Sequence, residues 1–311
     1  MTNPVSLPTP LLITGAGGFV GRHVISLLSR TSPETEIVPA GVDITDRTAV
    51  RALISGTKPA CCLHLAAVSA IDVARENPDQ AWAVNLHGTL NLANAIRDLA
   101  PECQLIFVSS GDIYGASFRS GDALAEQALP APLNTYAATK AAADLALGAM
   151  AAQNLSVLRL RAFNHTGPGQ NGNFVVSAFA RQIALAEAGQ TPPVIRVGAL
   201  WPERDFLDVR DVAWAYQAAI ARAGTLPSGT VLNISSGKPR KIDDVLSALL
   251  ALSDIEIRVE QEAARLRPTD IPRACGDPSL ARRMLGWQPE IPWRDTLVDV
   301  LNDWRERVRN T

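Results

Sequence analysis

The sequence predicts an α/β fold, a doubly wound parallel sheet with a smaller interleaved C-terminal lobe. From Leu11 onward, short apolar runs alternate with segments of helical periodicity, and after residue 170 the pattern becomes irregular and rich in proline. Continuous apolar runs of about four to six residues are typical of parallel strands buried on both faces. With 311 residues, 47% of them hydrophobic, the chain can bury a sizeable core.

The first half of the chain supplies most of the sheet. Strands are predicted at "LLIT", "EIVPA", "ACCLHLAA", "QLIFVSS" and "LSVLRLRAF". Helices are predicted at "GGFVGRHVISLLSR", "RTAVRALISG", "DQAWAVNLHGTLNLANAIRDLA" and the alanine-rich "NTYAATKAAADLALGAMAAQN". Alternation of this kind predicts a sheet of about seven strands with helices on both faces.

The second half adds the lobe and returns to the sheet. Its predicted helices cover 173–188, 209–222, 241–252 and 292–308, and "TVLNIS" is expected to add a strand to the sheet. The predicted division of the chain is a flexible tail at 1–10, a dinucleotide-binding domain at 11–169 plus 206–235, and a substrate-binding lobe at 170–205 plus 236–311.

Composition excludes several classes of protein. The 29 Lys and Arg against 31 Asp and Glu give a net charge of -2, which offers no general attraction to nucleic acid or an anionic membrane. The N-terminus "MTNPVSLPTP" lacks the charged and apolar regions of a signal peptide, and no run approaches the length of a membrane span. The four cysteines lack metal-ligand spacing. We therefore expect a cytoplasmic protein with reduced thiols and no metal.

A glycine triplet stands between the first strand and the first helix. "LLITGAGGFVG" places Gly15, Gly18 and Gly21 where the backbone can turn sharply and approach a pyrophosphate at the helix start. The alternative is an ordinary tight turn, but the strand before and the helix after favour a Rossmann-type dinucleotide site. Asp43, in "GVDITD", is expected to meet the adenine; contact with the ribose and a solvated loop position are the alternatives. NADPH and NADH both stay open.

The alanine-rich helix carries Tyr136 and Lys140 one turn apart. Free tyrosine titrates near pH 10, and an ammonium at i+4 on the same helix face would stabilise the phenolate and lower that pKa. Such a pair becomes a usable acid or base. A surface pair is the alternative for this spacing taken alone.

Two strand ends support the chemical interpretation. "QLIFVSS" ends in Ser109 and Ser110 at the carboxyl edge of the sheet, where a hydroxyl can bond a carbonyl oxygen that gains negative charge. The small side chains of "HLAA" leave room for a flat cofactor at a neighbouring strand end. Asn85 is expected near the same edge, with a capping or core amide as its alternative.

These motifs together resemble the extended short-chain dehydrogenase/reductase superfamily. The resemblance rests on the glycine triplet, "HLAA", Ser110, Tyr136 and Lys140, and it extends over the chain from Leu11 onward. It implies a triad of Ser110, Tyr136 and Lys140 acting at C4 of a nucleotide sugar, with NADPH or NADH as hydride carrier. It implies these residues at the cofactor: Gly15, Gly17, Gly18, Phe19, Val20, Asp43, Ile44, Leu65, Ala66, Ala67, Asn85, Val108, Tyr136, Lys140, Phe163 and His165.

Motifs in the second half resemble the branch of that superfamily that acts on GDP-mannose derivatives. They are "RAFNHTGPGQ", "NFVVSAFARQIA", "RDFLDVRDV" and the segment from "RLRPTD" to "EIPW". This resemblance implies a GDP-sugar substrate, since arginine forks suit a diphosphate. It implies substrate contacts from Ser110, Gly111, Asp112, Asn164, Val175, Arg181, Arg204, Arg267 and Asp270. Surface ion pairs are the alternative for the arginines, and a packed loop position is the alternative for His165.

The two residues that directly follow Ser110 distinguish the candidate reactions. Removal of water across C5 and C6 needs an acid and a base there, and this chain has Gly111 and Asp112. Glycine cannot handle a proton, so the sequence favours reduction of GDP-4-dehydro-6-deoxy-D-mannose at C4 to GDP-D-rhamnose. A GDP-mannose 4,6-dehydratase, a 4-epimerase of a UDP-sugar and a non-catalytic NAD(P)-sensing module are the alternatives.

Two helices predict an oligomer. The alanine-rich helix and "WAVNLHGTLNLANAIRDL" have small or apolar outer faces that can pack against their copies in a second subunit. Family resemblance also implies a homodimer with such a four-helix interface.

Overall fold

The structure is a computed structural model, and it describes residues 6–265 and 271–310. Its strands are β1 (Leu11–Thr14), β2 (Ile37–Pro39), β3 (Cys61–His64), β4 (Gln104–Ser110), β5 (Val157–Ala162), β6 (Asn164–Thr166), β7 (Val194–Val197), β8 (Glu203–Asp208), β9 (Val231–Ile234), β10 (Pro239–Lys241), β11 (Arg258–Gln261) and β12 (Arg273–Ala274).

The helices alternate with the strands in the first half and dominate the second. They are α1 (Phe19–Thr31), α2 (Arg47–Thr57), α3 (Ile71–Glu76), α4 (Pro78–Trp82), α5 (Thr89–Leu99), α6 (Thr135–Ala151), α7 (Val175–Glu187), α8 (Val209–Arg222), α9 (Ile242–Leu250), α10 (Ser279–Leu285) and α11 (Trp293–Arg309). A π-helical turn covers Ala83–Gly88, and 3₁₀ segments cover Gly111–Ser120 and Ala263–Arg265.

The central sheet has six parallel strands in the order β2-β1-β3-β4-β5-β9. The predicted doubly wound α/β class is confirmed, with one strand fewer than expected. The order reverses between β1 and β3, where the chain returns from one half of the sheet to begin the other. Ligands of such sheets bind at the carboxyl ends of the strands near this reversal, and the strand from "TVLNIS" completes the far edge as β9.

Each face of the sheet is covered by its own helices. One core contains side chains of α1, α8 and α10, and the opposite core contains side chains of α2, α5 and α6. Leu7 is buried in the first core, so the predicted flexible tail includes at least one packed residue. Burial of the apolar Leu7 side chain is favourable in free energy, so this part of the tail packs on the core instead of staying in solvent. The cysteines are free and buried, with Cys61 and Cys62 in the two opposite cores.

The lobe has a separate core from α7, α9 and α11 with β7 and β8. β8 pairs with β10, β12 and β6, and β7 pairs with β11. β8 crosses the predicted domain boundary between residues 205 and 206, and α10 packs on the sheet. The domain division therefore stays a prediction. The helices observed at α7, α8, α9 and α11 agree closely with the four predicted ones.

A buried ionic cluster fixes α6 against β5. Asp144 is 0% exposed, and its carboxylate lies 3.0 Å from Arg159 and 3.1 Å from Arg161. Arg161 also donates to the Tyr114 hydroxyl at 2.9 Å, and that hydroxyl donates to Asn233 at 2.7 Å. Buried charges are tolerated only when paired and hydrogen-bonded, so this cluster holds the helix of Tyr136 and Lys140 in one position.

Candidate active site

The glycine segment after β1 forms an open cradle at the start of α1. Gly15 has a φ of +68°, and a Cβ there would lie 2.7 Å from the Ala66 nitrogen. A Cβ at Gly21 would overlap the Gly15 carbonyl oxygen, whereas a Cβ at Gly17 would meet no atom within 4 Å. α1 begins without a side-chain cap. The cradle therefore offers free helix N–H groups and space for an anion, as a dinucleotide diphosphate requires.

A buried histidine connects the strand ends behind the cradle. His64 forms two hydrogen bonds: Nδ1 lies 2.6 Å from Thr14 Oγ1, and Nε2 lies 2.9 Å from Thr89 Oγ1. Since the Thr89 hydroxyl donates to the Asn85 carbonyl at 2.8 Å, it must accept from Nε2–H. Burial lowers the pKa of His64 to about 3, and nearby Lys140 acts in the same direction. His64 is therefore a neutral linker between β1, β3 and the π-helical turn.

Thr14 holds the small-residue loop that follows β3. Its hydroxyl accepts from the backbone nitrogens of Leu65 and Ala66 at 3.2 Å each. Leu65, Ala66 and Ala67 are half-buried beside Gly15. The structure thus brings "HLAA" to the cradle, as the sequence predicts.

Asn85, predicted at the cofactor, hydrogen-bonds the loop after β3 through its amide. Its side chain is 0% exposed, accepts from Val68 N at 2.8 Å and donates to Val68 O and Thr139 Oγ1 at 3.0 Å each. The Thr139 hydroxyl in turn donates to the Tyr136 carbonyl at 2.8 Å. With its amide paired in this way, Asn85 positions the loop after β3 against α6. This matches the buried core amide that the sequence offered as the alternative.

Asp43 and Ile44 occupy the loop after β2. Asp43 is exposed, and one carboxylate oxygen accepts from Thr45 N at 2.9 Å and Thr45 Oγ1 at 2.8 Å. These bonds hold the pKa of Asp43 below its ordinary value. The Ile44 side chain is buried in the core and would clash with a Cβ at Gly88. Only backbone groups of Ile44 are therefore left for a cofactor contact.

The three predicted catalytic residues meet at the end of β4. The Ser110 hydroxyl accepts from Asp112 N at 3.1 Å and lies close enough to the Tyr136 phenol to influence its pKa. Lys140 is 3% exposed, donates to the Val108 carbonyl at 2.6 Å and lies 4.2 Å from the centre of the Phe107 ring. The partly buried Val108 side chain packs against the sheet core, and its predicted cofactor contact stays a prediction.

The structure corrects the expected effect on Tyr136. Burial raises the pKa of Tyr136, the Asp112 carboxylate raises it further, and the nearby Ser110 hydroxyl acts in the opposite direction. The Lys140 ammonium is directed to the Val108 carbonyl, so in this structure it does not lower that pKa. The sequence showed the spacing of the pair but not its burial. Tyr136 is therefore protonated at neutral pH, the state that a proton donor needs.

Lys140 is expected to make the free energy of unfolding depend on pH. Burial lowers its pKa from 10.5 to about 7, although Asp144 opposes this. Between these values the unfolded chain binds more protons, so stability contributed by this group rises with pH, by up to about 1.4 kcal/mol per unit. Lys140→Met should remove that rise. Denaturant unfolding from pH 7 to pH 9 measures the difference between the two proteins.

Lys58 supplies the matched control. It also donates to a backbone carbonyl at 2.6 Å, that of Leu99, but it is exposed. Lys58→Met should keep the wild-type slope. Parallel stability curves for wild type and Lys140→Met would contradict the predicted effect.

A small pocket opens next to the catalytic residues. It brings together four predicted substrate residues, Gly111, Asp112, Asn164 and Arg204. Phe163, predicted at the cofactor, also lines this pocket, because its ring packs beneath Gly111. The sequence analysis missed three further lining residues, Phe118, Asp205 and Ala274. Asp205 belongs to the motif "RDFLDVRDV", which could have indicated it as a site residue. No motif marked Phe118 or Ala274.

Other predicted residues lie elsewhere. His165 stacks on Phe19 with ring centres 6.2 Å apart and bonds the Phe163 carbonyl through Nδ1 at 2.9 Å; burial lowers its pKa. This places His165 and Phe19 beside the cradle. Val20 packs into the sheet core and Val175 into the lobe core, at the start of α7.

Arg181 does not join the pocket residues. Its exposed guanidinium lies 6.0 Å from the centre of the Trp304 ring on α11, as in the surface alternative. Arg267 and Asp270 lie outside the described residues. The Ser109 hydroxyl, next to Ser110, is buried without a hydrogen-bond partner among the residues that the structure describes.

Two negative findings concern the described ranges alone. Within 6–265 and 271–310, no helix has the length and apolar character needed to cross a membrane. Over the same ranges, no three His, Cys, Asp or Glu side chains come together as candidate metal ligands.

Comparison with known proteins identifies the class that this fold and site define. The family model for GDP-mannose 4,6 dehydratase matches residues 30–300. The chain belongs to this family of extended short-chain dehydrogenases/reductases.

The particular relatives are enzymes of nucleotide sugars. GDP-6-deoxy-D-mannose reductase of Pseudomonas aeruginosa is 33% identical over 302 residues, 96% of this chain and 98% of that protein. GDP-6-deoxy-D-talose 4-dehydrogenase of Aggregatibacter actinomycetemcomitans is 30% identical over 89% of this chain and 91% of that protein. The solved structure of RMD from Pseudomonas aeruginosa complexed with NADPH has a TM-score of 0.88 at 31% identity and covers 96% of this chain and 99% of its own.

These relatives confirm the superfamily and the class of cofactor, a nicotinamide dinucleotide, that the sequence predicted for it. They place the chain among reductases, epimerases and dehydratases of nucleotide sugars. The roles of individual residues stay predictions.

Proposed function

We propose that the protein reduces the C4 ketone of GDP-4-dehydro-6-deoxy-D-mannose to GDP-D-rhamnose with NADPH or NADH. The observation that carries this proposal is the contact between Gly111 and Phe163. A Cβ at Gly111 would lie 3.0 Å from the Phe163 ring, which is 5% exposed and packed on Tyr114 and Phe118. The position next to Ser110 therefore carries no acid, and a side chain there would have to displace the Phe163 ring. This supports reduction, which needs no acid or base at that position.

The cradle is the proposed cofactor site. Gly15, Gly17 and Gly18 would hold the diphosphate at the start of α1, with the loop of Leu65, Ala66 and Ala67 beside it. Phe19 and His165 flank the cradle on the other side. When bound there, NADPH or NADH supplies the hydride that C4 receives.

The catalytic residues handle the ketone oxygen. Ser110 would donate a hydrogen bond to this oxygen and stabilise the negative charge that develops on it. Tyr136 would give it a proton as general acid. The raised pKa of Tyr136 keeps that proton in place before the reaction. Lys140 has a pKa that burial lowers to about 7, and it would have to turn from the Val108 carbonyl to stabilise the phenolate that remains.

Pocket residues would hold the GDP-sugar. Arg204 on β8 lines the pocket. It donates to the Ile271 carbonyl at 2.7 Å, which fixes its guanidinium beside the start of β12. Asn164 and Asp112 line the same pocket on the sugar side of Ser110. Arg267 and Asp270, predicted for the diphosphate and the ribose, complete the proposed set.

A substrate panel tests this function. Purified protein should oxidise NADPH or NADH steadily with GDP-4-dehydro-6-deoxy-D-mannose, but not with GDP-mannose or UDP-glucose. NMR of the product should show the rhamno configuration at C4. The 6-deoxy-talose configuration would instead support the activity that the name of the Aggregatibacter relative states.

The same panel separates the alternatives. A dehydratase would convert GDP-mannose to the ketosugar, and an epimerase would act on a UDP-sugar without net cofactor oxidation. A sensor would bind the dinucleotide and turn over none of the sugars. Any of these three results would refute the proposed reductase.

We also propose a homodimer through a four-helix interface of α5 and α6 with their copies. Leu145 on α6 is 55% exposed and Trp82 before α5 is 36% exposed, and burial of both would favour association. Sedimentation at micromolar concentration should give the mass of a dimer, and a monomer would refute this proposal. Location in the cytoplasm stays a prediction.

A further inference from the structure

Arg240 lies on β10 directly opposite Arg204 on β8. The antiparallel register also pairs Pro239 with Asp205 and Lys241 with Glu203. Residues opposite each other in such a pair project from the same face of the sheet. Two guanidinium-bearing side chains therefore share one face, and like charges in this relation destabilise a sheet. An anion that accepts from both side chains would reduce this repulsion.

The Arg240 guanidinium is held in place by an aromatic ring. Its central carbon lies 4.8 Å from the centre of the Trp293 ring, and Trp293 stacks on Phe206 with centres 5.6 Å apart. Cation–π stacking fixes the plane of a guanidinium while it leaves the N–H edge unused. The Arg240 Nε is in fact buried without a hydrogen-bond partner in the described part of the chain.

The acidic side chain of Asp205, which acts on Arg240, already has hydrogen-bond partners of its own. Asp205 is 1% exposed, and its two oxygens accept from Ser236 N and Gly237 N at 2.9 Å each. Burial lowers the pKa of Arg240, and Asp205 opposes this without forming an ion pair with it. A buried donor left unpaired destabilises the folded protein. An incoming anion that accepts from Arg240 would recover this cost.

We propose that Arg240 is a phosphate-binding residue of the nucleotide-sugar site, acting beside Arg204 on the diphosphate of the nucleoside diphosphate. This inference rests on the proposed function, since the neighbouring Arg204 lines the pocket assigned to that substrate. Arginine suits the task because its fork bonds two phosphate oxygens at once. Arg240 would thus hold the nucleotide end of the substrate while Ser110 and Tyr136 act on the sugar.

Arg240→Met is the decisive variant, since its side chain preserves the apolar contact with Trp293 and lacks the charge. Calorimetric titration with GDP, on protein saturated with NADPH, should show about 10- to 100-fold weaker binding than wild type. Arg240→Lys should recover part of the affinity. Lys241→Met is the matched control, because Lys241 is the next cation on β10, opposite Glu203 and in an ion pair with Asp243 at 3.7 Å. It should bind GDP as wild type does.

The outcomes separate this inference from the proposed function. Arg240→Met that binds GDP as tightly as wild type would overturn the inference, even if the ketosugar were reduced normally. A lower melting temperature with unchanged GDP affinity would do the same and indicate a packing role. Weaker GDP binding by Arg240→Met in a protein that fails to reduce the ketosugar would keep the inference and refute the reductase. Wild-type protein that does not bind GDP would refute the inference.

Discussion

Replacing Tyr136 by phenylalanine is expected to lower the rate of ketosugar reduction by about 10²- to 10⁴-fold, the range for loss of a general acid. The phenyl ring keeps the packing at the end of β4 and loses the phenol proton. Binding of GDP should change little, because the contacts proposed for the diphosphate do not use the phenol. Single-turnover reduction of GDP-4-dehydro-6-deoxy-D-mannose measures the chemical step directly.

Tyr216→Phe is the matched control for this experiment. The Tyr216 hydroxyl is fully buried on α8 and has no hydrogen-bond partner among the described residues, so its removal should leave the rate unchanged. Full turnover in Tyr136→Phe would show that another group donates the proton. Equal losses in both variants would point to packing damage in place of lost acid catalysis.

Replacing Asp144 by asparagine is expected to lower the free energy of unfolding by about 3–5 kcal/mol, as for other buried pairs that lose one charge. The two arginines of β5 would then face each other without a carboxylate, in a place where Asp144 is 0% exposed and Arg161 is 4% exposed. Urea unfolding followed by tryptophan fluorescence measures this loss.

An exposed pair of the same geometry gives the comparison. Asp98 lies 2.8 Å from Arg51, with both side chains more than a third exposed. Asp98→Asn should cost less than about 1 kcal/mol, because solvent screens such pairs. Similar losses in Asp98→Asn and Asp144→Asn would contradict the structural role given to the buried cluster.

Local patterns were sufficient to predict the class of fold. Apolar runs buried on both faces identified the parallel strands, and the helix predicted at 209–222 coincides with α8. These features depend on residues close together in the chain. The partition of β8 into a second sheet was not predicted, because its partners β6, β10 and β12 come from distant segments.

The candidate site divides in the same way. Spacing indicated the glycine cradle and the Tyr136 and Lys140 pair, since both are local motifs. The direction of the Tyr136 pKa was missed, because burial and the position of Asp112 arise only on folding. The hydrogen bonds between the Asn85 amide and Val68 were not predicted, because they too arise only on folding. The role inferred for Arg240 depends on a cross-strand register that no local pattern contains.

Because the cysteines are buried, their reaction with a thiol reagent can measure when each part of the protein opens. Burial raises the pKa of Cys61, Cys62, Cys103 and Cys275, so none of these thiols should react with an alkylating reagent in the closed molecule. Cys61 and Cys62 lie on the central strand β3, whereas Cys275 lies next to Asp205 at the candidate pocket. Mass-resolved labelling of Cys275 ahead of Cys61 and Cys62 would therefore time the local opening of the pocket against unfolding of the sheet.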